Sequence, residues 1–300
     1  MPEALAVDID REPPLAEPAA PKRRERRRRR ELAFWLSVTW LAIVLFAAVT
    51  ASWLPLKDEL ASDISHKLSR PGENGFVLGS DGLGRDILAR IIHGSRVSVI
   101  ISVFAVLIGI VGGGLLGMSV GMVRGRYERA VMFVTDIALA FPALVILLAL
   151  LAYAGQSLFI ITITIGILSI PRYTRVARAN TLTVSEREFV LAARALGARS
   201  PRILLREIAP NVLLPLAAFG LLSVGVVIVL EGTLSFLGLS VPQPTPSWGS
   251  MIAEGKRHLN GAPHVSLIPS VVMFLTVLSV NFVGDNARAR FFDVRESGLS

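Results

Sequence analysis

The chain has 300 residues, 52% of them hydrophobic, and a mean hydropathy of +0.59. Such values exceed those of ordinary soluble domains, and continuous apolar runs of about 20 residues predict an all-α polytopic membrane protein rather than a β-barrel. The net charge of +8 comes from basic residues before and between the apolar runs, where membrane topology puts them, so it does not indicate nucleic-acid binding.

The N-terminal region ends in a basic run, residues 22–30, directly before the first apolar run at 32–54. A nucleic-acid-binding arm, a signal peptide and a cytoplasmic anchor would each contain such a basic run. A nucleic-acid arm needs no apolar run behind it, and a signal peptide has a shorter one, although the small residues at 47–51 would suit cleavage. We therefore predict an unstructured cytoplasmic tail over residues 1–31 and a first transmembrane helix over 32–54.

Residues 55–96 contain as many acidic as basic residues, which predicts an external loop because such loops can be translocated. The loop contains LGSDGLGRD at residues 78–86 and leads into HGSRVS at 93–98. A phosphate-binding glycine loop is excluded, because Ile87 stands where the third glycine belongs and no strand precedes it.

The second apolar run, residues 97–123, has a glycine at every fourth position from Gly109 to Gly121, and the row continues to Gly125. Small residues at this spacing let two helices approach closely in lipid. The general tolerance of glycine in membrane helices would explain one pair but not a whole row. We therefore predict a helix-packing face formed by Gly109, Gly113, Gly117 and Gly121.

Four further apolar runs complete a predicted core of five helices over residues 97–286, followed by a cytoplasmic tail over 287–300. Pro142 predicts a kink in the first of them, and Asp136 nearby predicts a salt bridge or a headgroup contact. The second is short for a crossing, so we expect its helix to continue towards Asn180. The four runs cover residues 130–153, 158–171, 212–239 and 265–283.

Glu231 lies within the fifth predicted span. A carboxylate at that depth usually faces protein or water, so Glu231 is either a residue of a translocation path or a hydrogen-bonded packing position. The two hypotheses stay equally open. Beyond it, three prolines between residues 242 and 246 exclude a helix, and Trp248 suits a membrane interface.

The loop between the fourth and fifth spans, residues 172–211, is strongly basic, which predicts a cytoplasmic position. Within it, capping and breaking signals predict two short helices, the first with an apolar face. The signals are Ser185 with Glu188 as a capping box, Gly197 as a stop, Ser200 with Pro201 as a second start, and Pro210 as a second stop.

The first of these helices contains LAARALGA at residues 191–198, and the loop ends in isoleucine, alanine and proline at 208–210. This pattern resembles the EAA loop of ABC importer permeases, whose coupling helices seat in the ATPase subunit. Leu191 stands where that loop usually has glutamate. A basic amphipathic helix lying on anionic lipid headgroups is the alternative.

Residues 78–98, 231–249 and 284–290 resemble further signatures of one group, so the chain is similar to the C-type permease subunit of dipeptide/oligopeptide ABC importers. The resemblance implies six helices in the type I importer fold, in a bacterial cell membrane with both termini cytoplasmic. It implies a second homologous permease subunit, cytoplasmic ATPase subunits that bind ATP–Mg, and an extracytoplasmic substrate-binding protein. The implied ATPase-coupling residues are Glu188, Ala192, Ala193, Arg194, Leu196, Gly197, Ala198 and Arg199.

Catalytic and cofactor-binding patterns are missing from the sequence. There is no cysteine, the four histidines lack metal-ligand spacing, and the nearest phosphate-loop candidate, residues 249–256, has the wrong glycine spacing. We therefore expect no enzyme activity, cofactor or metal in this chain. The rival classes are an intramembrane hydrolase and an ion-coupled secondary transporter, which would need paired midplane charges. The cargo stays open among dipeptides, oligopeptides, haem and nickel complexes.

Overall fold

The computed structural model describes residues 23–297, with side chains from 31 to 289, and this part of the chain is almost wholly helical. The β-type pairing found in it is an isolated bridge between Ser80 and Asp86. Short turns of 3-10 type cover Ile64–His66 and Lys256–His258, and a π-helical turn covers Leu204–Ile208. The α-helices are α1 (Arg23–Thr50), α2 (Ile87–Val123), α3 (Gly125–Ala140), α4 (Ala143–Ala154), α5 (Leu158–Ser185), α6 (Glu188–Ala195), α7 (Ser200–Ile203), α8 (Ala209–Phe236), α9 (Trp248–Gly255) and α10 (His264–Ser297).

Among the described residues, five helical stretches are long and apolar enough to cross a membrane: those of α1, α2, α5 and α10, and the continuous stretch from α7 to α8. The pair α3 and α4 forms a further apolar stretch that is bent by 83°. Counted as one broken span, the pair raises the total to six, and the predicted all-α polytopic fold is confirmed.

The break between α3 and α4 falls at Pro142, where a kink was predicted. Proline has no amide hydrogen for the helix ladder, and it forces the preceding residue out of the helical conformation. Phe141 accordingly has extended angles, with φ −84° and ψ 139°. The effect is larger than a kink, because a new helix starts directly after the proline.

Two helix boundaries extend beyond the apolar runs. α2 begins at Ile87, ahead of the predicted start at residue 97, because the Asp86 carboxylate accepts hydrogen bonds from the amides of Leu88 (2.8 Å) and Ala89 (3.1 Å). α5 runs without interruption through Pro171, so the expected continuation of the fourth span is confirmed. Both helices therefore have polar ends that reach past their apolar sections.

The closest helix contact in the bundle joins α2 to α5 of the same chain. A Cβ atom added at Gly117 would lie 2.5 Å from the Thr174 carbonyl oxygen and 2.8 Å from the Arg178 amide nitrogen. Only a residue without a side chain permits this backbone separation. Gly125 does not extend the row, since it faces open space with φ +75°. The glycines of the row that lie against α5 are Gly109, Gly113, Gly117 and Gly121, and Gly112 beside the row also contacts α5.

The bundle has two structurally distinct ends, named here the coupling end, after the coupling residues predicted from the sequence, and the pocket end. At the coupling end, the segment 186–208 joins α5 to α8. At the pocket end lie the last turn of α8, α9 and the loop that precedes α2. The two ends are roughly 40 Å apart, because α8 has 28 residues and an α-helix rises about 1.5 Å per residue.

Candidate functional site

The coupling segment, residues 186–208, is attached to the bundle by a few buried aliphatic side chains. Val190 and Ile208 have no exposed surface, and Ile203 is 2% exposed. On its outer side, an ion pair joins Glu186 to Arg124, which follows α2, at 3.4 Å. The segment is thus held at the end of α2 and α5 while most of its residues face outward.

Gly197 ends α6 in the left-handed conformation, with φ +80°, as its position in the sequence predicts. Its amide donates to the Arg194 carbonyl at 2.9 Å, and the Ala198 amide donates to the Ala193 carbonyl at 3.0 Å. These two bonds form a Schellman motif. No atom lies within 4 Å of the position that a Cβ would occupy, so the backbone conformation, not space, favours glycine here.

The predicted N-terminal caps of the two short helices are wrong. Ser185 is the last residue of α5, and its buried hydroxyl donates to the Thr181 carbonyl at 2.6 Å instead of capping α6. A serine in a helical turn can always bond back in this way. Arg187 occupies the cap position of α6 and Arg199 that of α7, and neither makes a side-chain cap hydrogen bond. Ser200 is already inside α7.

Pro210 does not end the second short helix, contrary to the prediction. α7 continues through the π-helical turn into α8, and the Ala209 amide donates to the Leu204 carbonyl, five residues back. The Asn211 side chain donates to the Glu207 carbonyl at 2.7 Å. The wider turn lets the chain pass a proline that has no amide hydrogen, so the coupling segment connects to a membrane helix without a loop.

The predicted ATPase-coupling residues form an outward-facing surface with apolar residues at its centre. Leu196 is 88% exposed, and its neighbours Phe189 (44%) and Leu191 (51%) are exposed too. A single exposed leucine is normal on a protein surface, whereas several exposed apolar side chains on one short helix are what a contact surface for another protein requires. Of the predicted set, Ala193 and Ala198 are half-buried, and the exposed members are Glu188, Ala192, Arg194, Leu196, Gly197 and Arg199.

At the pocket end, Asp81 and Arg85 of the loop LGSDGLGRD form a largely buried ion network with Arg90 of α2 and Glu254 of α9. Arg85 Nε donates to Asp81 Oδ2, and Arg85 Nη2 donates to Glu254 Oε2, both at 2.7 Å. Arg90 Nη2 lies 3.3 Å from Glu254 Oε1. The Gln243 amide donates to the same Glu254 oxygen. The network ties the loop before α2 to α9, and no feature of the sequence predicted the pairing with Glu254.

The same loop packs against the residues that precede it. Gly84 has φ +76°, and a Cβ atom there would lie 1.8 Å from the Asp63 carbonyl oxygen. The Asp63 carboxylate accepts hydrogen bonds from the Ser65 hydroxyl and from His66, and these bonds hold its pKa below the usual value, the serine being the larger cause. Residues 63–86 therefore form an ordered cap over the pocket end.

Glu231 is 1% exposed and lies behind the wall of the pocket end. Its Oε1 accepts hydrogen bonds from the hydroxyls of Ser235 (2.9 Å), Ser240 (2.7 Å) and Ser247 (2.8 Å). Its Oε2 has no hydrogen-bond partner among the described residues. In this conformation the carboxylate joins α8 to the proline-containing loop.

Trp248 is wrongly predicted at a membrane interface. The side chain has no exposed surface, and its Nε1 donates to the Ile91 carbonyl in α2 at 3.1 Å. Tryptophan is common at interfaces because its amide-like N–H needs a partner, but a backbone carbonyl inside the protein satisfies it equally well. Trp248 therefore locks α9 against α2.

Asp136 and two of the four histidines form ion pairs with neighbouring side chains. Asp136 accepts a 2.6 Å bond from Arg175 of α5, which confirms the salt-bridge alternative. His66 contacts Asp63 at 2.7 Å, and His93 lies 3.5 Å from Glu59. No group of three or more potential metal ligands occurs in the described part of the chain.

A cavity of about 850 Å³ opens at the pocket end. Its walls come from the turn at 82–85, the end of α8, the loop 240–244 and the region of α9 that continues to His258. Glu254 and two of the Glu231-bound serines, Ser235 and Ser240, lie along its boundary.

Comparison with known proteins identifies a family and several relatives. Residues 113–292 match the family described as binding-protein-dependent transport system inner membrane component. The chain is 35% identical over 264 residues to the glutathione transport system permease protein GsiD of Shigella flexneri, covering 88% of this chain and 87% of that protein. It is 36% identical over 222 residues to GsiD of Pectobacterium atrosepticum, covering 74% of each chain. It is 35% identical over 254 residues to the di/tripeptide transport system permease protein DppC of Pseudomonas aeruginosa, covering 83% and 84%.

Proposed function

The chain belongs to the family of binding-protein-dependent transport system inner membrane components, and we propose that it is a permease subunit of an ATP-driven importer of small peptides. The observation that carries the cargo class is the identity of 35% over most of the chain to permeases named for glutathione and di/tripeptide transport. These cargoes share a short peptide backbone with free terminal charges. Glutathione and related di- and tripeptides are therefore the first cargoes to test.

The coupling segment transmits the motion of an ATPase subunit to the membrane helices. Three features support this role: the exposed Leu196, the Schellman turn at Gly197, and the unbroken connection from α7 into α8. An apolar side chain on a short helix suits a groove on a partner, and a continuous helix moves as a rigid body. A force applied at Leu196 therefore passes through the turn at Gly197 to α7, which continues into α8.

Nucleotide chemistry belongs to the partner ATPase, which binds ATP–Mg, and this chain is not an enzyme. Residues 249–255, the nearest phosphate-loop candidate in the sequence, form the closely packed helix α9, and a Cβ at Gly249 would lie 2.6 Å from the Gly232 Cα. Such packing leaves no room for a phosphate. The other partners are a second, homologous permease subunit and an extracytoplasmic binding protein.

We propose a bacterial inner-membrane position with both termini and the coupling segment in the cytoplasm. The chain lacks cysteine, so single cysteines can report this topology. Ser62→Cys and Arg202→Cys both alter exposed residues at opposite ends of the bundle. A membrane-impermeant thiol reagent applied to intact spheroplasts should label the first variant only. Labelling of Arg202→Cys in sealed cells would overturn the orientation.

The import function is tested with the full complex of both permeases, ATPases and binding protein in proteoliposomes. We expect accumulation of labelled Ala-Ala or glutathione only when ATP and the binding protein are both present. Removal of the ATPase subunits should abolish accumulation. Uptake that continues without them and follows an imposed proton or sodium gradient would instead support an ion-coupled secondary transporter.

A further inference from the structure

We propose that the cavity at the pocket end is a binding site for the terminal carboxylate of the peptide within the permease itself, with Arg257 and His258 as its donors. The inference rests on the proposed peptide-import function. It adds a substrate contact in this chain to the selection made by the binding protein, and it assigns the contact to two residues of the turn that follows α9.

The size and lining of the cavity suit a short peptide. Its volume of about 850 Å³ lies within the roughly 300–1,000 Å³ of small-molecule pockets. Phe236, Val241 and Pro242 supply apolar walls, and Gln156 and Gln243 supply neutral polar groups. A cavity with apolar walls and few polar groups orients a ligand by those few groups.

Arg257 is a cation without a carboxylate partner among the side chains of residues 31–289. Glu254, three residues earlier, would ordinarily pair with it along one helical face. Both oxygens of Glu254 are instead occupied, one by Arg85 at 2.7 Å and the other by Arg90 and Gln243. The network thus occupies the carboxylate that is nearest to Arg257 in the sequence, which makes the Arg257 guanidinium available to a ligand in our proposal.

His258 lines the cavity beside Arg257, and the glycine turn makes room for it. A Cβ atom at Gly82 would lie 2.7 Å from the His258 Nε2, so any larger residue would displace the ring. An arginine fork and an imidazole N–H on neighbouring residues can donate to the two oxygens of one carboxylate. The loop LGSDGLGRD therefore contributes to the cavity in two ways. Its Arg85 pairs with Glu254, and its Gly82 leaves space for the His258 ring.

Buried hydrogen bonds hold two parts of the cavity wall in position. The Glu231 carboxylate fixes Ser235 and Ser240, which both line the cavity, and Trp248 anchors α9 to α2. A wall that is held before binding loses less conformational entropy when the ligand arrives.

A carboxylate could also come from a side chain of the binding protein, and an anionic lipid headgroup could supply a phosphate. The partly enclosed form of the cavity and its apolar walls favour a small ligand with a short hydrophobic body over a flat protein contact. The binding experiment distinguishes the peptide from both of these other sources.

The test uses the complete permease–ATPase complex in nanodiscs without binding protein, and it compares wild type with Arg257→Gln. The ligands are Ala-Ala and its C-terminal amide, titrated by saturation-transfer NMR, which detects weak binding. Lys256→Gln is the control for the loss of a neighbouring positive charge: Lys256 is exposed and does not itself line the cavity, although its ammonium lies 4.7 Å from the centroid of the Phe236 ring in the cavity wall. ATP-driven uptake with the binding protein present is measured in parallel for all three proteins.

We expect wild type and Lys256→Gln to bind Ala-Ala about tenfold more tightly than Arg257→Gln does, as loss of one charge-assisted hydrogen bond implies. The amide should bind all three proteins equally weakly. Equal binding of Ala-Ala to wild type and Arg257→Gln, or no binding to wild type, would overturn the inference.

An effect of Arg257→Gln on the affinity of the binding protein for the complex, with unchanged Ala-Ala binding, would assign the cavity to the binding protein and overturn the inference. Weaker Ala-Ala binding to wild type in nanodiscs of anionic lipid than in zwitterionic nanodiscs, with no such difference in Arg257→Gln, would assign the cavity to a lipid phosphate and overturn the inference. Failure of wild type to import any peptide, with Arg257-dependent Ala-Ala binding intact, would overturn the proposed cargo but support the carboxylate site.

Discussion

The two ends of the bundle distribute apolar and charged residues in opposite ways. At the coupling end, Leu196 is 88% exposed and the ion pair between Arg124 and Glu186 lies on the surface. At the pocket end, Trp248 is fully buried and the Arg85–Asp81 pair is 5–6% exposed. An end that docks on a partner must expose apolar surface, whereas an end that holds a ligand needs polar groups in one geometry. Substitutions should therefore affect stability at the pocket end and energy coupling at the other.

The helix contact that both ends share should be the most sensitive to substitution. Gly117→Leu places a side chain against the backbone of α5, where Thr174 O would lie 2.5 Å from the new Cβ, so the two helices must separate. We expect no folded complex after detergent extraction, measured by size-exclusion chromatography. Val111→Leu, at a 57% exposed position on the same helix, should extract normally. Normal assembly of Gly117→Leu would mean that the α2–α5 contact is dispensable.

The second-largest loss of stability should come from breaking the buried ion network, whereas breaking the exposed ion pair should cost little. Arg85→Leu leaves Asp81 and Glu254 with an incomplete set of partners in a buried site, which costs about 3–5 kcal/mol. Arg124→Leu removes the exposed pair with Glu186, which is worth about 0–1 kcal/mol. Thermal unfolding of the purified complex should show a much lower midpoint for Arg85→Leu alone. Similar midpoints for both variants would remove the energetic distinction between the ends.

The smallest effect on stability should come from Leu196→Asp, because the side chain is mostly in solvent. We expect a change in unfolding free energy within about 0.5 kcal/mol, together with loss of the ATPase subunit from the purified complex. Leu196→Met keeps an apolar side chain and should retain the ATPase. A stable Leu196→Asp complex with its full complement of ATPase would show that the exposed leucine is not a docking residue.

The sequence predicted the turn at Gly197 and the break at Pro142 but not the ion network of the pocket end, because the relevant signals differ in range. Gly197 acts through the conformation of its own backbone, and Pro142 acts on the residue beside it, so neighbouring residues suffice to predict both. The Arg85–Glu254 bond joins positions 169 residues apart, and no pattern in one chain marks such a pair. The overall fold was predictable for the same reason as Gly197, since each apolar span is a local feature.

Local signals also failed where one residue type has two local uses. Ser185 was predicted to start a helix, but a serine hydroxyl can equally bond back to the carbonyl four residues earlier and end one. Pro210 was predicted to stop a helix, but the π-helical turn before it absorbs the missing hydrogen bond. In both cases the role of the residue depends on which helix includes it, and the packing of the whole bundle determines where each helix begins and ends.

The central claim is that the coupling segment converts ATP hydrolysis into movement of the membrane helices, and the most direct measurement is the number of peptides imported per ATP hydrolysed. Gly197→Val resists the left-handed conformation, whereas Gly197→Asn tolerates it, and neither side chain meets another atom within 4 Å of its Cβ. In reconstituted complexes we predict hydrolysis without import in Gly197→Val and near-normal coupling in Gly197→Asn. Normal coupling in Gly197→Val, with loss only when Arg199 and Arg202 are neutralised, would contradict the claim and support a segment that merely lies on lipid.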